Sequence, residues 1–174
     1  MGFIRSDFKV KLFNLVAVFF LCLSLGTGFF LEFFLRLMPC VTCFFQRLCM
    51  LGIGVSLCLN VIRQVRIKHY GFALLWALLG LTISLWHISC VFCDPIEEGD
   101  FLFFSQRVST WSFITFFLSL LGLVPFLIFH KESGSTAHQR HSLLSYLAIG
   151  LLLVMLSIGL FSVFTRLGFQ LRGL

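Results

Sequence analysis

The chain has 174 residues, of which 59% are hydrophobic and only 11% are charged, and its formal net charge is +6. A soluble domain of this size needs about a quarter of its residues charged to cover its core, so this composition excludes a soluble globular protein. It also excludes a disordered chain, because 24 phenylalanines with few charges favour burial over solvation. The class that remains is a small integral membrane protein.

Uncharged stretches of about 20 residues or more recur along the chain, and each can cross roughly 30 Å of hydrocarbon as a helix. Together with an apolar segment that contains a single arginine, they predict five helices in one membrane domain that comprises residues 1–174. The predicted helices are 12–35, 41–62, 70–91, 108–129 and 142–165. We therefore predict an all-α integral membrane protein, a four-helix transmembrane bundle with a fifth hydrophobic helix.

Basic residues in the short connections predict the orientation in the membrane. The N-terminal segment and the second and fourth connections are basic, whereas the short loop 94–107 carries four acidic residues and only Arg107 as a base. This alternation predicts a cytoplasmic N-terminus and an outer loop on the periplasmic side of a bacterial inner membrane. The positive charge is then a topology signal, and no nucleic-acid partner is expected. If 142–165 spans, Arg166 and Arg172 lie outside against the rule, so its placement stays open.

Four of the seven cysteines form two CxxC pairs, which the predicted topology brings to the same outer end of the helices. Cys40 and Cys43 begin the second helix, and Cys90 and Cys93 end the third. Residues i and i+3 share a helix face, so the sulfurs can bond on this oxidising side. A helix start also favours the thiolate and activates it. These four are the candidate catalytic residues. The other three lie in apolar runs and are interpreted as packing residues: Cys22, Cys49 and Cys58.

Two further polar residues are predicted near these cysteines. Arg47 follows Cys43 by four residues, so it lies one turn deeper on the same helical face. Arginine within a membrane span is costly and indicates a functional site. Its anionic partner is the Cys43 thiolate, the oxygen of a bound acceptor, Glu32 or a lipid phosphate, unless the side chain simply snorkels to the head groups. His87, three residues before Cys90, can donate a hydrogen bond to a carbonyl oxygen if it faces Arg47 at similar depth.

The segment PCVTCFFQR, which begins at Pro39, resembles the PCxxCxxxR signature of the disulfide-bond formation protein B (DsbB) family. The resemblance covers about 12–129. It implies a protein-disulfide:quinone oxidoreductase that reoxidises a periplasmic thioredoxin-fold dithiol oxidase, a DsbA-like partner. The electrons then pass to the membrane quinone pool, as ubiquinone or menaquinone, in support of disulfide bond formation.

The same resemblance implies roles for individual residues. Cys40 and Cys43 match the pair that exchanges electrons with quinone, Arg47 matches the quinone-contacting arginine, and His87 matches a histidine near the end of the third helix. The second pair departs from the family pattern, because typical members carry it in a long outer loop. Here that pair adjoins the membrane and its loop is short, so the chain resembles a divergent, short-loop member with an additional C-terminal helix.

Three other interpretations stay open. Two CxxC pairs can form a structural four-cysteine zinc site, which leaves the charge of Arg47 unexplained, so no metal ligands are assigned. A protein that transfers reducing equivalents outward from the cytoplasm would need a cysteine pair accessible from that side, where the remaining cysteines form no CxxC. A vitamin K epoxide reductase-like enzyme usually has its redox CxxC in the last helix, whereas here it lies in the second.

Overall fold

The computed structural model describes the backbone of residues 2–34, 41–62, 65–92, 102–103, 106–129 and 143–172. Side chains are described for 10–34, 41–62, 65–90, 110–128 and 146–162. Within these ranges the chain forms five helices: α1 (Gly2–Phe34), α2 (Val41–Ile62), α3 (Ile67–Phe92), α4 (Val108–Phe129) and α5 (Leu143–Arg172). The first four contain apolar stretches long enough to cross a membrane: Val10–Phe34, Val41–Ile62, Ile67–Cys90 and Thr110–Ile128. The prediction of an all-α membrane bundle is thereby confirmed.

The first and last helices of the chain extend beyond their apolar parts. α1 begins at Gly2, whereas the hydropathy pattern predicts a start near residue 12, and α5 continues to Arg172. Hydropathy marks only the part of a helix that suits hydrocarbon, and a helix can continue into water without a break in its hydrogen bonds. Predicted spans therefore underestimate the length of these two helices.

A short hairpin lies in the loop predicted at 94–107. Strands β1 (Leu102–Phe103) and β2 (Gln106–Arg107) pair antiparallel, with Leu102 opposite Arg107, and α4 follows directly. Strands of two residues carry no alternating pattern that a sequence could reveal, because such a pattern needs about four residues.

α2 is the central helix of the bundle. Of an 18-residue apolar window of this helix, 61% is buried inside the bundle, against 33% or less for the corresponding windows of α1, α3 and α4. It packs against α1, α3 and α5, while α4 packs mainly on α3. Two glycines allow close helix contact: Gly52 of α2 lies against the ring of Trp76, and Gly80 of α3 lies against the ring of Phe116. Small residues are how membrane helices approach closely without a hydrophobic driving force.

α5 runs alongside α1 in the same direction. Met155 of α5 lies beside Gly26 of α1, and further along the two helices Gly159 lies beside Phe29. Residue numbers in the two helices rise together through these contacts, so the helices are parallel. The described part of α5 therefore follows the bundle lengthwise and does not lie across it, which the sequence left open.

The end of the bundle away from the cysteines is closed by uncharged contacts. The side-chain amide of Asn14 in α1 and the hydroxyl of Tyr70 in α3 are hydrogen-bonded at 2.8 Å, and both residues are fully buried. Phe126 of α4 stacks on Tyr70 and on Phe13 of α1, with ring centroids 5.7 and 4.5 Å apart. These contacts hold α1, α3 and α4 together at this end of the bundle. The site described next lies toward the other end, between α1, α2 and α5.

Candidate functional site

The predicted cysteines lie at the end of the bundle where α2 begins and α3 ends, here called the CxxC end. Cys43 lies in the first turn of α2 and is half-buried, and Cys90 lies in the last turn of α3 and is exposed. The described part of α2 begins at Val41. Cys40 and Cys93 lie outside the described residues, so the pairing of each CxxC stays a prediction.

Arg47 lies one turn beyond Cys43 and is held by α1. Its guanidinium forms an ion pair with the carboxylate of Glu32 and donates a hydrogen bond to the carbonyl oxygen of Gly28 at 3.1 Å. The same group lies over the ring of Phe29, 4.7 Å from the centroid, in a cation–π contact. Of the four partners that the sequence allows, the structure therefore has Glu32. The arginine side chain is only 17% exposed, so it does not snorkel freely to the surface.

Glu32 is bound through both of its carboxylate oxygens. Oε2 accepts from Arg47, and Oε1 accepts a hydrogen bond from the hydroxyl of Ser162 in α5 at 2.5 Å. The side chain is 3% exposed, and Glu32 alone among the seven acidic residues of the sequence falls within one of the four apolar stretches. A buried carboxylate at this depth is tolerated because a cation and a hydroxyl satisfy it.

A groove with apolar walls runs beside this ion pair, between α1, α2 and α5. Arg47 and Ser162 are the two polar residues among those that line it. Its lining residues are Phe29, Phe44, Arg47, Leu48, Leu51, Leu156, Gly159, Leu160 and Ser162. A planar apolar molecule with one or two acceptor oxygens suits such a lining, because apolar walls bind the ring and a few polar groups fix its orientation.

His87 lies on the other side of α2. Gln46, the neighbour of Arg47 in sequence, points toward α3, where its amide donates to the hydroxyl of Ser84 at 3.2 Å and lies 3.4 Å from Nδ1 of His87. Gln46 and Ser84 are both buried. Consecutive helical residues differ by about 100° in direction, which separates the two side chains. The described contacts of Arg47 and His87 therefore lie on different sides of α2.

The remaining cysteines are in the core. Cys22, Cys49 and Cys58 are each 5% exposed or less and pack among apolar side chains, as the packing interpretation expects. Among the residues that the structure describes, no group of three or more histidine, cysteine or acidic side chains is placed to hold a metal ion. Two of the four cysteines of the zinc interpretation lie outside the described ranges, so that alternative is not tested.

Sequence reasoning missed two members of the site and underestimated a third. Ser162 gives no signal, because serine in an apolar helix usually bonds its own backbone, as Ser157 does to the carbonyl of Leu153. Ser84 is missed for the same reason. Glu32 was one of several possible partners, and the rarity of acidic residues in the spans was the signal that could have selected it.

The fold and these contacts define a multi-pass helical membrane protein with a cysteine at the start of its central helix and a charged groove beside it. The model of the family Disulfide bond formation protein DsbB matches residues 10–92, just under half of the chain, so this part of the chain is similar to that family. The match includes most of α1 and all of α2 and α3, and it ends before α4. No curated protein and no solved structure matches the chain.

Proposed function

We propose that the protein is a thiol:quinone oxidoreductase of the bacterial inner membrane. It reoxidises a periplasmic, DsbA-like thioredoxin-fold oxidase and passes the electrons to ubiquinone or menaquinone. Its N-terminus is cytoplasmic and its CxxC end faces the periplasm. The observation that carries this proposal is the position of Arg47, which lies one turn from Cys43 and on the wall of an apolar groove.

Electrons pass through two cysteine pairs in this proposal. A thiolate of the reduced partner attacks the Cys90–Cys93 disulfide, and the mixed disulfide resolves to an oxidised partner and a Cys90/Cys93 dithiol. That dithiol reduces the Cys40–Cys43 disulfide by a second exchange. The Cys40/Cys43 dithiol then releases two electrons and two protons as its disulfide re-forms. Arg47 and the apolar walls of the groove would hold a quinone, which would supply the acceptor for both electrons and both protons.

The protein contributes binding, orientation and charge at the acceptor. The walls from α1, α2 and α5 hold an apolar ring and exclude water from it. The guanidinium of Arg47 is fixed in place before the reaction, so it can stabilise negative charge on an acceptor oxygen without reorganisation, and a site poor in water strengthens this effect. In the resting protein Glu32 balances the same charge, which offsets the cost of an arginine within the membrane.

His87 is a second proposed contact to the quinone. Its described neighbour is Gln46 on the α3 side of α2, so a molecule that touches both Arg47 and His87 has to lie across the start of that helix. The exposed position of Cys90 at the end of α3 suits a cysteine that must meet a partner protein.

The proposal predicts that Cys43→Ser abolishes quinone reduction. The purified full-length protein in detergent is given a reduced DsbA-like oxidase and a short-chain quinone, and quinone absorbance is followed. Cys49→Ser is the matched control, because Cys49 lies on the same helix but is buried in the core, and this variant keeps its turnover. Equal turnover of Cys43→Ser and the wild type would contradict the electron path. No turnover in the wild type, with bound zinc, would favour the four-cysteine metal site.

A further inference from the structure

The structure gives α5 a direct connection to the charge of the groove. Ser162 of α5 donates a hydrogen bond to Glu32 at 2.5 Å, and Glu32 in turn holds the guanidinium of Arg47. α5 lies outside the region that the family model matches, so the similarity to that family does not account for this contact. The three residues come from three different helices and form one chain of contacts.

We propose that Glu32 and Ser162 are positioning residues for Arg47, and that α5 is a structural part of the quinone site. This inference rests on the function proposed above. An arginine near the end of a membrane span tends to extend toward the head groups, where its charge is hydrated. Here the carboxylate of Glu32 and the carbonyl of Gly28 retain the guanidinium at the groove. Its direction therefore depends on the direction of Glu32.

Ser162 fixes the direction of that carboxylate. Without the serine hydroxyl, Oε1 of Glu32 loses this hydrogen bond across the helix interface, and the carboxylate is less firmly oriented with Arg47 attached. Both groups that bind Glu32 also line the groove, whereas Glu32 itself does not. Glu32 is therefore not among the residues that would contact a bound quinone, and its effect on the quinone passes through Arg47.

α5 also forms one wall of the groove. Leu156, Gly159 and Leu160 share one face of the helix, because residues three and four apart are neighbours on a helix surface. Gly159 carries no side chain, and a β-carbon there would lie 3.5 Å from the ring of Phe29, in ordinary contact. The absence of a side chain at this position keeps the groove open next to Phe29.

The test compares Ser162→Ala with Ser157→Ala in the full-length protein. Both variants remove one hydroxyl from α5, but Ser157 bonds only the backbone of its own helix among its described contacts. We expect Ser162→Ala to raise the KM for a short-chain quinone roughly tenfold, as is typical when a hydrogen bond to a charged group is lost. Ser157→Ala leaves it unchanged, and Ser162→Thr, which keeps the hydroxyl, restores it.

Two half-reactions separate positioning from a general structural role. In a single turnover without quinone, thiol–disulfide exchange with the reduced partner keeps its wild-type rate in Ser162→Ala, because Arg47 acts only on the quinone step. Glu32→Gln, which keeps an acceptor for Ser162 but removes the charge, shows the same selective loss. The inference is overturned if Ser162→Ala behaves like Ser157→Ala, or if both half-reactions slow equally.

The proposed function fails in a different way. A wild-type protein that exchanges disulfides with the partner but reduces no quinone overturns the function, and this inference with it. A wild type that reduces quinone, with a Ser162→Ala variant of unchanged quinone KM, overturns only the role of α5.

Discussion

The two sides of α2 differ in chemistry although their polar residues are consecutive in sequence. Gln46 faces α3 and joins a neutral network with Ser84 and His87. Arg47 faces α1 and α5 and joins the charged pair with Glu32. On the neutral side Gln46 and Ser84 are buried and His87 is half-buried, whereas the charged side borders a groove. A single helix thus separates a neutral network that joins α2 to α3 from a charged pair that joins α2 to α1 beside the groove.

The two sides of α2 differ in the free-energy cost of burying their polar groups, and this difference explains why we assign the function to the charged side. Neutral hydrogen bonds within a membrane bundle contribute modestly, roughly 1 kcal/mol or less, and need no further reason. A buried ion pair is often no more stable than apolar residues of the same size, so stability alone does not account for Glu32 and Arg47. Charged residues in a span indicate function by default, and the groove beside this pair supplies the site.

The largest expected effect concerns the charged side. Arg47→Ala should lower quinone reduction about 10²–10³-fold, the usual loss when a preorganised group that stabilises developing charge is removed. Steady-state quinone reduction with the reduced partner measures it. A fall of less than twofold would place the acceptor elsewhere.

Because Arg47→Ala leaves the carboxylate of Glu32 without its cation, reduced stability could imitate a loss of function. The double variant Glu32→Gln/Arg47→Gln removes both charges and provides the control. We expect its thermal stability in detergent to approach that of the wild type, while quinone reduction stays low. Recovery of quinone reduction in the double variant would show that the charge of Arg47 is dispensable.

The sequence predicted most of the residues on the charged side of α2 but few of the contacts on its neutral side. The helices follow from uncharged stretches, and Arg47 is conspicuous because a charge in a span is rare. The division between Gln46 and Arg47 could not be predicted, because it depends on how α2 is rotated against α1, α3 and α5. Ser162 could not be predicted at all, since its contact with Glu32 joins residues that are 130 positions apart and carries no local pattern.

An intermediate effect is expected for packing on the neutral side. A β-carbon at Gly52 of α2 would overlap the ring of Trp76 in α3, so Gly52→Ala forces the two helices apart. Overpacking of this kind costs about 1–3 kcal/mol. We expect a lower melting temperature in detergent and only a small change in the KM for quinone. Gly71→Ala is the matched control, because a β-carbon at Gly71 meets open space. Equal melting temperatures for the two variants would mean that α2 and α3 are less tightly packed than the contact at Trp76 indicates.

The smallest effect is expected for His87, and it tests the comparison most sharply. If His87 contacts the quinone by one hydrogen bond, His87→Ala should lower quinone reduction about two- to tenfold, which corresponds to roughly 0.5–1.5 kcal/mol. Because the described contacts of His87 and Arg47 lie on different sides of α2, we expect the two residues to act independently on the quinone, so the losses in His87→Ala and Arg47→Ala should add in the double variant. A loss in His87→Ala as large as that in Arg47→Ala, or strong non-additivity between them, would mean that the two side chains act on the quinone as one unit. The separation drawn here between the two sides of α2 would then not hold.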